Sequence, residues 1–337
     1  MTVGFDLDGQ PGRQSWRLLV GLAISLIVAI GGVISFVSRT PPVFPETRIN
    51  AERFSVGGLA RAGNRILAAG ALGNILYSDD EGKTWADAQI TPQRGSPLTQ
   101  VIFLNDKDGI AVGNDGWILR SADGGLTWQE TRFETEHSEP LLGIWGLPKG
   151  PVFAFGSFGR FFVSQDLGQT WQPRDVGVQD RHLNGIAGDA DGRMMMVGEQ
   201  GIVLRSSDGG ITWQTLPKFY KGSFFGVIRL SADEWIIYGM RGHVFYSRDF
   251  GATWQQSQMP VQLSMFGHMV REDGSIVLVG AGGAVVESHD RGASFAELKS
   301  GGTASYTSII PLHDDHVLIA GEDGVHKLTI AAQRGAK

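Results

Sequence analysis

The chain has 337 residues, of which 48 are glycine and none is cysteine, and its formal net charge at pH 7 is −6. Nucleic-acid-binding proteins carry a basic patch or stripe, so an acidic chain without one argues against a nucleic-acid partner. The absence of cysteine is compatible with an oxidising compartment.

The first predicted element is the run Leu18–Val37, which contains no charged residue. At about 1.5 Å per residue, a helix of this length spans roughly 30 Å, the thickness of a bilayer core. Trp16 lies where aromatic residues favour the membrane interface. The N-terminal part is therefore predicted as a cytoplasmic tail (residues 1–17), a transmembrane helix in the lipid bilayer (residues 18–37) and a linker (residues 38–43).

A cleaved signal peptide is the alternative interpretation of this run. The run is long for the apolar core of a signal peptide, and Ser35–Ser38 offers no small-x-small cleavage site, so we favour an uncleaved anchor. A short tail before a large C-terminal domain predicts a single-pass protein of the bacterial inner membrane, with that domain in the periplasm. Three small residues at i, i+4 and i+8 could pack on another helix: Gly21, Ser25 and Ala29.

Beyond residue 44 the phrase Gly-x-x-Gly recurs at intervals of 41 to 43 residues. A period of about 40 to 45 residues is typical of a four-stranded propeller blade. The repeat predicts an all-β fold, a seven-bladed β-propeller over residues 44–330 followed by a tail over residues 331–337. The glycine pairs are Gly70/Gly73, Gly113/Gly116, Gly156/Gly159, Gly198/Gly201, Gly239/Gly242, Gly280/Gly283 and Gly321/Gly324.

A second phrase follows the first six pairs. Its first copy is Ser78-x-Asp80-x-Gly82-x-Thr84-Trp85, and a degraded copy begins at Ser288. This phrase is the Asp box of BNR-repeat propellers. Its Asp and Ser/Thr side chains can satisfy backbone N–H groups in a tight hairpin, and its indole fills the gap between neighbouring sheets. We interpret the boxes as turn-forming; because sialidases also carry Asp boxes, a carbohydrate-active site is the alternative.

Alternation and β-branched content predict the four strands A to D of a blade. In blade two these strands are Leu98–Phe103, Gly109–Val112, Trp117–Ser121 and Trp128–Phe133. The Asp boxes are then C–D turns and the glycine pairs are B–C turns, so the two phrases mark opposite faces of the ring. We name them the Asp-box face, which also carries the A–B turns, and the glycine-pair face, which also carries the D–A loops between blades.

The seventh unit ends before a fourth strand could form. Phe44–Ile49 resembles the outer strand of blade two, so residues 44–49 are predicted to complete the last blade. This pairing would close the ring and leave no long unpaired edge.

The repeat varies most on the glycine-pair face. Apolar residues stand at turn tips where polar residues are expected, and basic and aromatic residues occupy the D–A loops. Such a surface suits protein docking, although ordinary loop variety is the alternative. The residues predicted to bind a partner are Leu72, Phe158, Arg160, Arg181, Tyr220, Lys221, Met240 and Arg241.

Catalysis and metal binding find little support in the sequence. A sialidase-like hydrolase needs a tyrosine nucleophile paired with a carboxylate, and clustered arginines. Tyr306 alone is near an inner strand, and its strand A contains no carboxylate. The segment His313–His316 has residue types that suit zinc, but it occupies an ordinary A–B turn. We predict a protein that is not an enzyme and has no cofactor and no metal.

With its in-phase units, a Gly-x-x-Gly before each Asp box and a single anchor, the chain resembles the photosystem II stability/assembly factor family of BNR-repeat propellers over residues 44–330. It is similar also to relatives in non-photosynthetic bacteria that accompany RND/MMPL-type exporters. The resemblance implies a non-enzymatic lumenal or periplasmic protein that binds partner polypeptides during the assembly of membrane complexes. The chain departs from the photosynthetic pattern in its uncleaved span and in lacking one dominant arginine patch.

The function predicted from the sequence is a non-catalytic, membrane-anchored periplasmic propeller. It would act as a scaffold, assembly or accessory subunit of an inner-membrane complex, with an RND/MMPL-type transporter as the expected partner. The alternative is a carbohydrate-binding or sialidase-like glycoside hydrolase propeller.

Overall fold

The computed structural model describes residues 12–36, 49–136, 138–313 and 315–330. The chain divides into two compact units, Met1–Thr47 and Arg48–Lys337. The first contains one described helix, and the second contains the propeller.

Helix α1 spans Gly12–Phe36 and therefore begins before the predicted Leu18. The three predicted packing residues, Gly21, Ser25 and Ala29, are exposed in it. Within the described part of the chain, no helix has the length and apolar character needed to cross a membrane. The transmembrane helix predicted over residues 18–37 is therefore not supported, because the described helical residues do not supply that apolar length.

The propeller is built from seven sheets in up-and-down order: among the described residues five are antiparallel and four-stranded, that of blade two has a fifth strand, and that of blade seven has three strands. Blade one contains β1 (Val56–Ala62), β2 (Arg65–Gly70), β3 (Ile75–Ser78) and β4 (Ala86–Asp87). Blade two contains β6 (Leu98–Phe103), β7 (Gly109–Gly113), β8 (Ile118–Ser121) and β9 (Thr127–Arg132), with β5 (Gln89–Thr91) added at its outer edge. Blade three contains β10 (Leu141–Gly146), β11 (Val152–Gly156), β12 (Phe161–Ser164) and β13 (Gln172–Pro173).

The remaining blades repeat this order. Blade four contains β14 (Leu183–Gly188), β15 (Met194–Gly198), β16 (Val203–Ser206) and β17 (Gln214–Thr215). Blade five contains β18 (Phe224–Arg229), β19 (Trp235–Gly239), β20 (Val244–Ser247) and β21 (Gln255–Gln256). Blade six contains β22 (Met265–Val270), β23 (Ile276–Gly280), β24 (Val285–Ser288) and β25 (Ala296–Lys299), and blade seven contains β26 (Tyr306–Pro311), β27 (His316–Gly321) and β28 (Gly324–Thr329).

The hydrophobic core lies between the blades. Strand B of each blade is apolar and almost wholly buried, because neighbouring sheets cover both of its faces. Seven clusters of buried residues occur among the described residues, and each combines side chains from two adjacent blades. Trp117 and Trp128 of blade two, for example, pack with Leu67 of blade one. The seven-bladed all-β propeller predicted from the repeat is confirmed.

The Asp boxes form the hydrogen-bonded turns expected of them. In the first box the Asp80 carboxylate accepts the Thr84 N–H at 2.8 Å and the Thr84 hydroxyl at 2.6 Å. The Ser78 hydroxyl accepts the Gly82 N–H at 2.8 Å, and the Trp85 indole donates to the Gly82 carbonyl at 3.1 Å. The degraded box at Ser288 keeps the same carboxylate contacts. The boxes are structural turns.

Blade seven meets blade one directly at a seam between the two ends of the propeller. The Leu59 N–H donates to the Ser308 hydroxyl at 3.1 Å, and the Thr307 hydroxyl donates to the Val56 carbonyl at 2.9 Å. Phe54 is buried in the cluster shared by the two blades. Except for Ile49, the strand predicted over residues 44–49 lies outside the described residues, as do the linker and the C-terminal tail, so closure by that strand stays a prediction.

Candidate partner-binding face

The glycine-pair turns share one backbone geometry, and this geometry explains why both positions are occupied by glycine. At Gly156 the chain passes so close to the start of strand A that a Cβ atom would lie 2.3 Å from the Pro140 carbonyl oxygen. The N–H of the next residue, Ser157, donates to that same carbonyl at 3.1 Å. The second glycine, Gly159, has φ +73°, in the left-handed region that glycine adopts at no steric cost. The first glycine is therefore required by a close approach and the second by its dihedral angle.

Between the glycines, one residue of each of the first six turns also lies in the left-handed region. This conformation directs its side chain away from the sheet, and two apolar side chains are exposed as a result. Leu72 is 68% exposed and Phe158 is 55% exposed. The residues in this position are Leu72, Asp115, Phe158, Gln200, Arg241 and Gly282.

Two predicted residues, Phe158 and Arg181, meet at the junction of blades three and four. The Phe158 ring packs edge-on against His182 with centroids 5.1 Å apart, and the Phe158 N–H donates to His182 Nδ1 at 3.3 Å. The Gly159 N–H donates to the carbonyl of Arg181 at 2.8 Å, which places that exposed residue beside the turn. Phe158 and Arg181 thus share one surface.

Arg160 follows the Phe158 turn in the chain, but its side chain faces the loop between blades two and three and has partners there. Its guanidinium pairs with the carboxylates of Glu134 and Glu139, and only 16% of its side chain is exposed. Burial alone would lower the pKa of Arg160, but the hydrogen bonds to Glu139 and Glu134 outweigh it and raise that pKa. Arg160 was predicted to bind a partner, but its positive charge is neutralised by two glutamates of the loop between blades two and three.

The other predicted residues meet at the junction of blades four and five. Tyr220 stacks on His243 with centroids 4.7 Å apart, and its hydroxyl donates to the Met240 carbonyl at 3.4 Å. Burial raises the pKa of Tyr220, while the positive charge of Arg241 opposes the shift. Met240 is half-buried, whereas Lys221 and Arg241 are exposed.

Phe219 was not predicted from the sequence, although it completes this junction. Its ring is 39% exposed, stacks on Trp254 with centroids 5.5 Å apart and meets Phe245 edge-on at 5.2 Å. A groove of about 500 Å³, which we name the blade four–five groove, is lined by Gln200, Lys218, Phe219, Tyr220 and Lys221. In the sequence, the feature that indicates this groove is the adjacent aromatic pair Phe219 and Tyr220, which stands between two lysines in a loop.

Leu72 is separate from both junctions. It belongs to the turn of blade one and is 68% exposed, whereas the other predicted binding residues belong to blades three to five and the loops between them. The predicted set therefore comprises two clusters and one isolated apolar tip on the same face.

Both faces contain paired arginines and exposed lysines, such as Lys83 and Lys149 on the Asp-box face, but the glycine-pair face groups its unpaired cations at two junctions. On the Asp-box face arginines pair with carboxylates, as in Arg229 with Asp189 and Asp191 at 2.5 Å and Arg120 with Asp108 at 2.6 Å. On the glycine-pair face, four exposed cations have no carboxylate within 4.0 Å among the described residues: Arg181, Lys218, Lys221 and Arg241. These four charges are available to an external anion.

Among the described residues, no tyrosine forms the tyrosine–carboxylate pair of a sialidase. Tyr238 shares a 2.7 Å hydrogen bond with His268 Nδ1, and burial raises the pKa of Tyr238 and lowers that of His268 to about 4. The Tyr306 hydroxyl accepts from Lys299 Nζ at 2.9 Å. Tyr246 donates to Gln255 at 2.6 Å, and Arg65 lies over the ring of Tyr77.

The candidate metal segment is likewise divided between two different contacts. His313 pairs with Glu81, and His316 shares a 3.0 Å hydrogen bond with Thr329. Across the described ranges, no three His, Asp or Glu side chains are arranged to hold a metal ion.

Comparisons with known proteins agree with this architecture. The family model described as "Photosynthesis system II assembly factor YCF48" matches residues 10–122, and the BNR/Asp-box repeat model matches residues 245–256. No curated protein matches the chain. The resemblance to YCF48-like BNR-repeat propellers is confirmed, and none of these matches bears on a transporter.

Solved structures extend the likeness over most of the chain. "YCF48 bound to D1 peptide" has a TM-score of 0.67 and 15% identity, covering 88% of this chain and 100% of that one. YCF48 from Cyanidioschyzon merolae has a TM-score of 0.66 and 15% identity, covering 84% and 98%. The WD40 β-propeller domain of Doa1 has a TM-score of 0.66 and 10% identity, covering 85% and 96%. At these identities the likeness shows the fold alone.

Proposed function

We propose that this YCF48-like BNR-repeat propeller is a non-catalytic assembly factor that binds a polypeptide of a protein complex through its glycine-pair face. The observation that carries the proposal is the grouping of four exposed cations without a carboxylate partner, Arg181, Lys218, Lys221 and Arg241, at the junctions of blades three to five on the glycine-pair face. Exposed Leu72 and Phe158 add apolar contact area to the same face. A solved YCF48 structure holds a D1 peptide, which supports a polypeptide as the ligand.

A non-catalytic role is supported by the tyrosine contacts. A glycosidase of the sialidase type needs a tyrosine activated by a carboxylate. Tyr238 contacts a histidine, Tyr306 a lysine, Tyr246 a glutamine and Tyr220 a backbone carbonyl, and Arg65 lies over the ring of Tyr77, so among the described residues no tyrosine hydroxyl is hydrogen-bonded to a carboxylate.

A more specific hypothesis concerns the cellular compartment of the propeller and the complex that it binds. We propose that the propeller works outside the cytoplasm at the bacterial inner membrane, on an integral membrane complex such as an RND/MMPL-type transporter. The resemblance of the repeat over residues 44–330 to transporter-associated propellers supports this hypothesis. A fusion of a periplasm-active reporter to residue 337 would test the location, and a fusion that is expressed at full length but inactive would contradict it.

Detergent co-purification from membranes tests the proposed function. Full-length protein should recover one membrane polypeptide in a fixed ratio. Phe158→Ser should weaken recovery, whereas Ile211→Ser, which removes a 69% exposed apolar side chain from the Asp-box face, should not. Recovery of the propeller alone, together with glycosidase activity, would favour the carbohydrate-active alternative and contradict the proposal.

A further inference from the structure

We propose that the blade four–five groove binds an extended polypeptide segment that carries carboxylates beside an apolar side chain. This inference rests on the proposed function and assigns the chemistry of the partner. Three observations on the groove support it. The floor is aromatic, the cations at the rim have no carboxylate partner, and backbone N–H groups of the loop have no acceptor within the described chain.

The floor of the groove is an aromatic surface fixed from below. Phe219 is held between the flat face of Trp254 and the edge of Phe245, yet 39% of it remains exposed. Tyr220 is fixed beside it by stacking on His243. A rigid, partly exposed aromatic pair offers apolar area to a ligand without the entropy cost of ordering a flexible side chain.

The rim of the groove is positively charged. Lys218 and Lys221 flank the aromatic pair, and Arg241 stands on the neighbouring turn of blade five, close enough to act on Tyr220. The residue before the lining Gln200 is Glu199, whose Oε2 already accepts the His182 N–H at 3.2 Å. In a chain of net charge −6, three unpaired cations around one groove favour a carboxylate-bearing ligand.

The backbone of the groove indicates a polypeptide in preference to a lipid headgroup. Residues 218–221 belong to no strand, and within the described chain their N–H groups donate to no protein acceptor. An extended peptide presents a row of carbonyl oxygens that can accept from such donors, while its side chains reach the floor and the rim.

Fluorescence anisotropy with the full-length chain tests the groove. The probes are three labelled ten-residue peptides: glutamates around a central phenylalanine, lysines around the same phenylalanine, and glutamates without an apolar residue. The first peptide should bind more tightly than the other two. Lys218→Glu with Lys221→Glu should weaken its binding by roughly tenfold or more and reduce the salt dependence.

The matched control is Lys83→Glu with Lys149→Glu, which makes the same change of charge at exposed positions of the Asp-box face. Phe219→Ala should weaken binding, and Phe219→Leu should restore part of it while keeping the floor apolar. Equal weakening by the control pair, or equal affinity for the lysine peptide, would overturn the proposal. Binding to phosphatidylglycerol vesicles that depends on Lys218 and Lys221, without peptide binding, would assign the groove to lipid instead.

Partner recovery separates the two proposals. If wild-type protein recovers a membrane polypeptide and the Lys218→Glu/Lys221→Glu variant recovers it equally, the groove assignment fails while the proposed function stands. If the wild-type protein recovers no polypeptide and binds no peptide, the proposed function fails.

Discussion

A single residue in most glycine-pair turns adopts a conformation that its side chain disfavours. Leu72 has φ 54° and Phe158 φ 52°, whereas blade six has Gly282 with φ 63° at the same position. A residue with a side chain in the left-handed region costs about 1–2 kcal/mol. The turn therefore tolerates many residue types but favours glycine, and an apolar residue here needs a reason other than stability.

The substitution Leu72→Gly tests whether this leucine reduces stability and contributes to partner binding. It relieves about 1–2 kcal/mol of left-handed strain and loses about 0.5–1 kcal/mol to the greater chain entropy of glycine, so the free energy of unfolding should rise by about 0.5 kcal/mol. Partner recovery should fall, because the exposed leucine is gone. Chemical denaturation measures the first effect. Ala71→Gly, at the preceding position, carries only the entropy cost and should destabilise; equal destabilisation by Leu72→Gly would contradict the interpretation.

The Asp-box carboxylates make part of the stability depend on pH. The Thr212 hydroxyl and N–H donate to Asp208 and, with the Ser206 hydroxyl, lower its pKa from 3.8 to about 2. Because the pKa is lower in the folded state, this stabilisation is present above about pH 4 and is lost as the pH falls towards 2.

Asp208→Asn should therefore reduce the free energy of unfolding by about 1 kcal/mol at pH 7, since the hydroxyl of Thr212 loses its charged acceptor. The difference from wild type should shrink as the pH falls to 2. Urea denaturation at pH 7, 4 and 2.5 measures it. Asp87→Asn removes an exposed strand carboxylate as the charge control, and a difference that is independent of pH would argue against the mechanism.

At the scale of one element, the glycine-pair turn is defined by contact between strand B and the start of strand A. The same approach recurs at all seven first glycines, where a Cβ would lie 1.9 to 2.3 Å from a carbonyl oxygen. Real Cβ atoms do not approach backbone oxygen so closely, and backbone cannot yield as a flexible side chain can. The turn is therefore intolerant of alanine at that position.

Gly156→Ala should lower the free energy of unfolding by about 3 kcal/mol or more, as overpacking against rigid backbone does. Gly177→Ala is the matched control, because Gly177 has φ +77° but nothing within 4 Å of a Cβ. Its cost should be limited to about 1–2 kcal/mol of dihedral strain. Differential scanning calorimetry compares the two variants, and equal losses would contradict a steric role for the first glycine.

The sequence predicted the elements well where they depend on neighbouring residues. Strand A of blade two has the predicted bounds, and its strand D lies within one residue of them. The pairing of β5 with β9 was not predicted, because parallel pairing between blades leaves no local pattern. The internal role of Arg160 was missed for the same reason: its partners, Glu134 and Glu139, lie in another blade's loop.

At the scale of the whole molecule, blade one and blade seven are joined by side-chain hydrogen bonds. Besides the contacts of Leu59 and Val56, Arg61 donates to the Pro311 carbonyl at 2.7 Å. The seven-fold period predicted a ring, but it could not predict these contacts, which depend on residues that differ between blades.

Removal of residues 44–50 tests the closure of the last blade. If this segment supplies the fourth strand beside β28, the truncation should destabilise the whole propeller in one cooperative transition, by about 2 kcal/mol or more. Removal of residues 331–337 is the comparison at the other end of the chain. Calorimetric melting unchanged by the first truncation would refute closure by that strand.

The seam also sets an order of events during synthesis. Each blade contains residues that leave the ribosome close together, whereas the seam joins residues about 250 positions apart. At about 5–20 residues per second, the inner strand of blade one waits roughly 12–50 s for its partner on blade seven. Throughout that interval the open ring exposes the apolar flank of blade one, so the nascent chain needs protection at this flank until the last blade arrives.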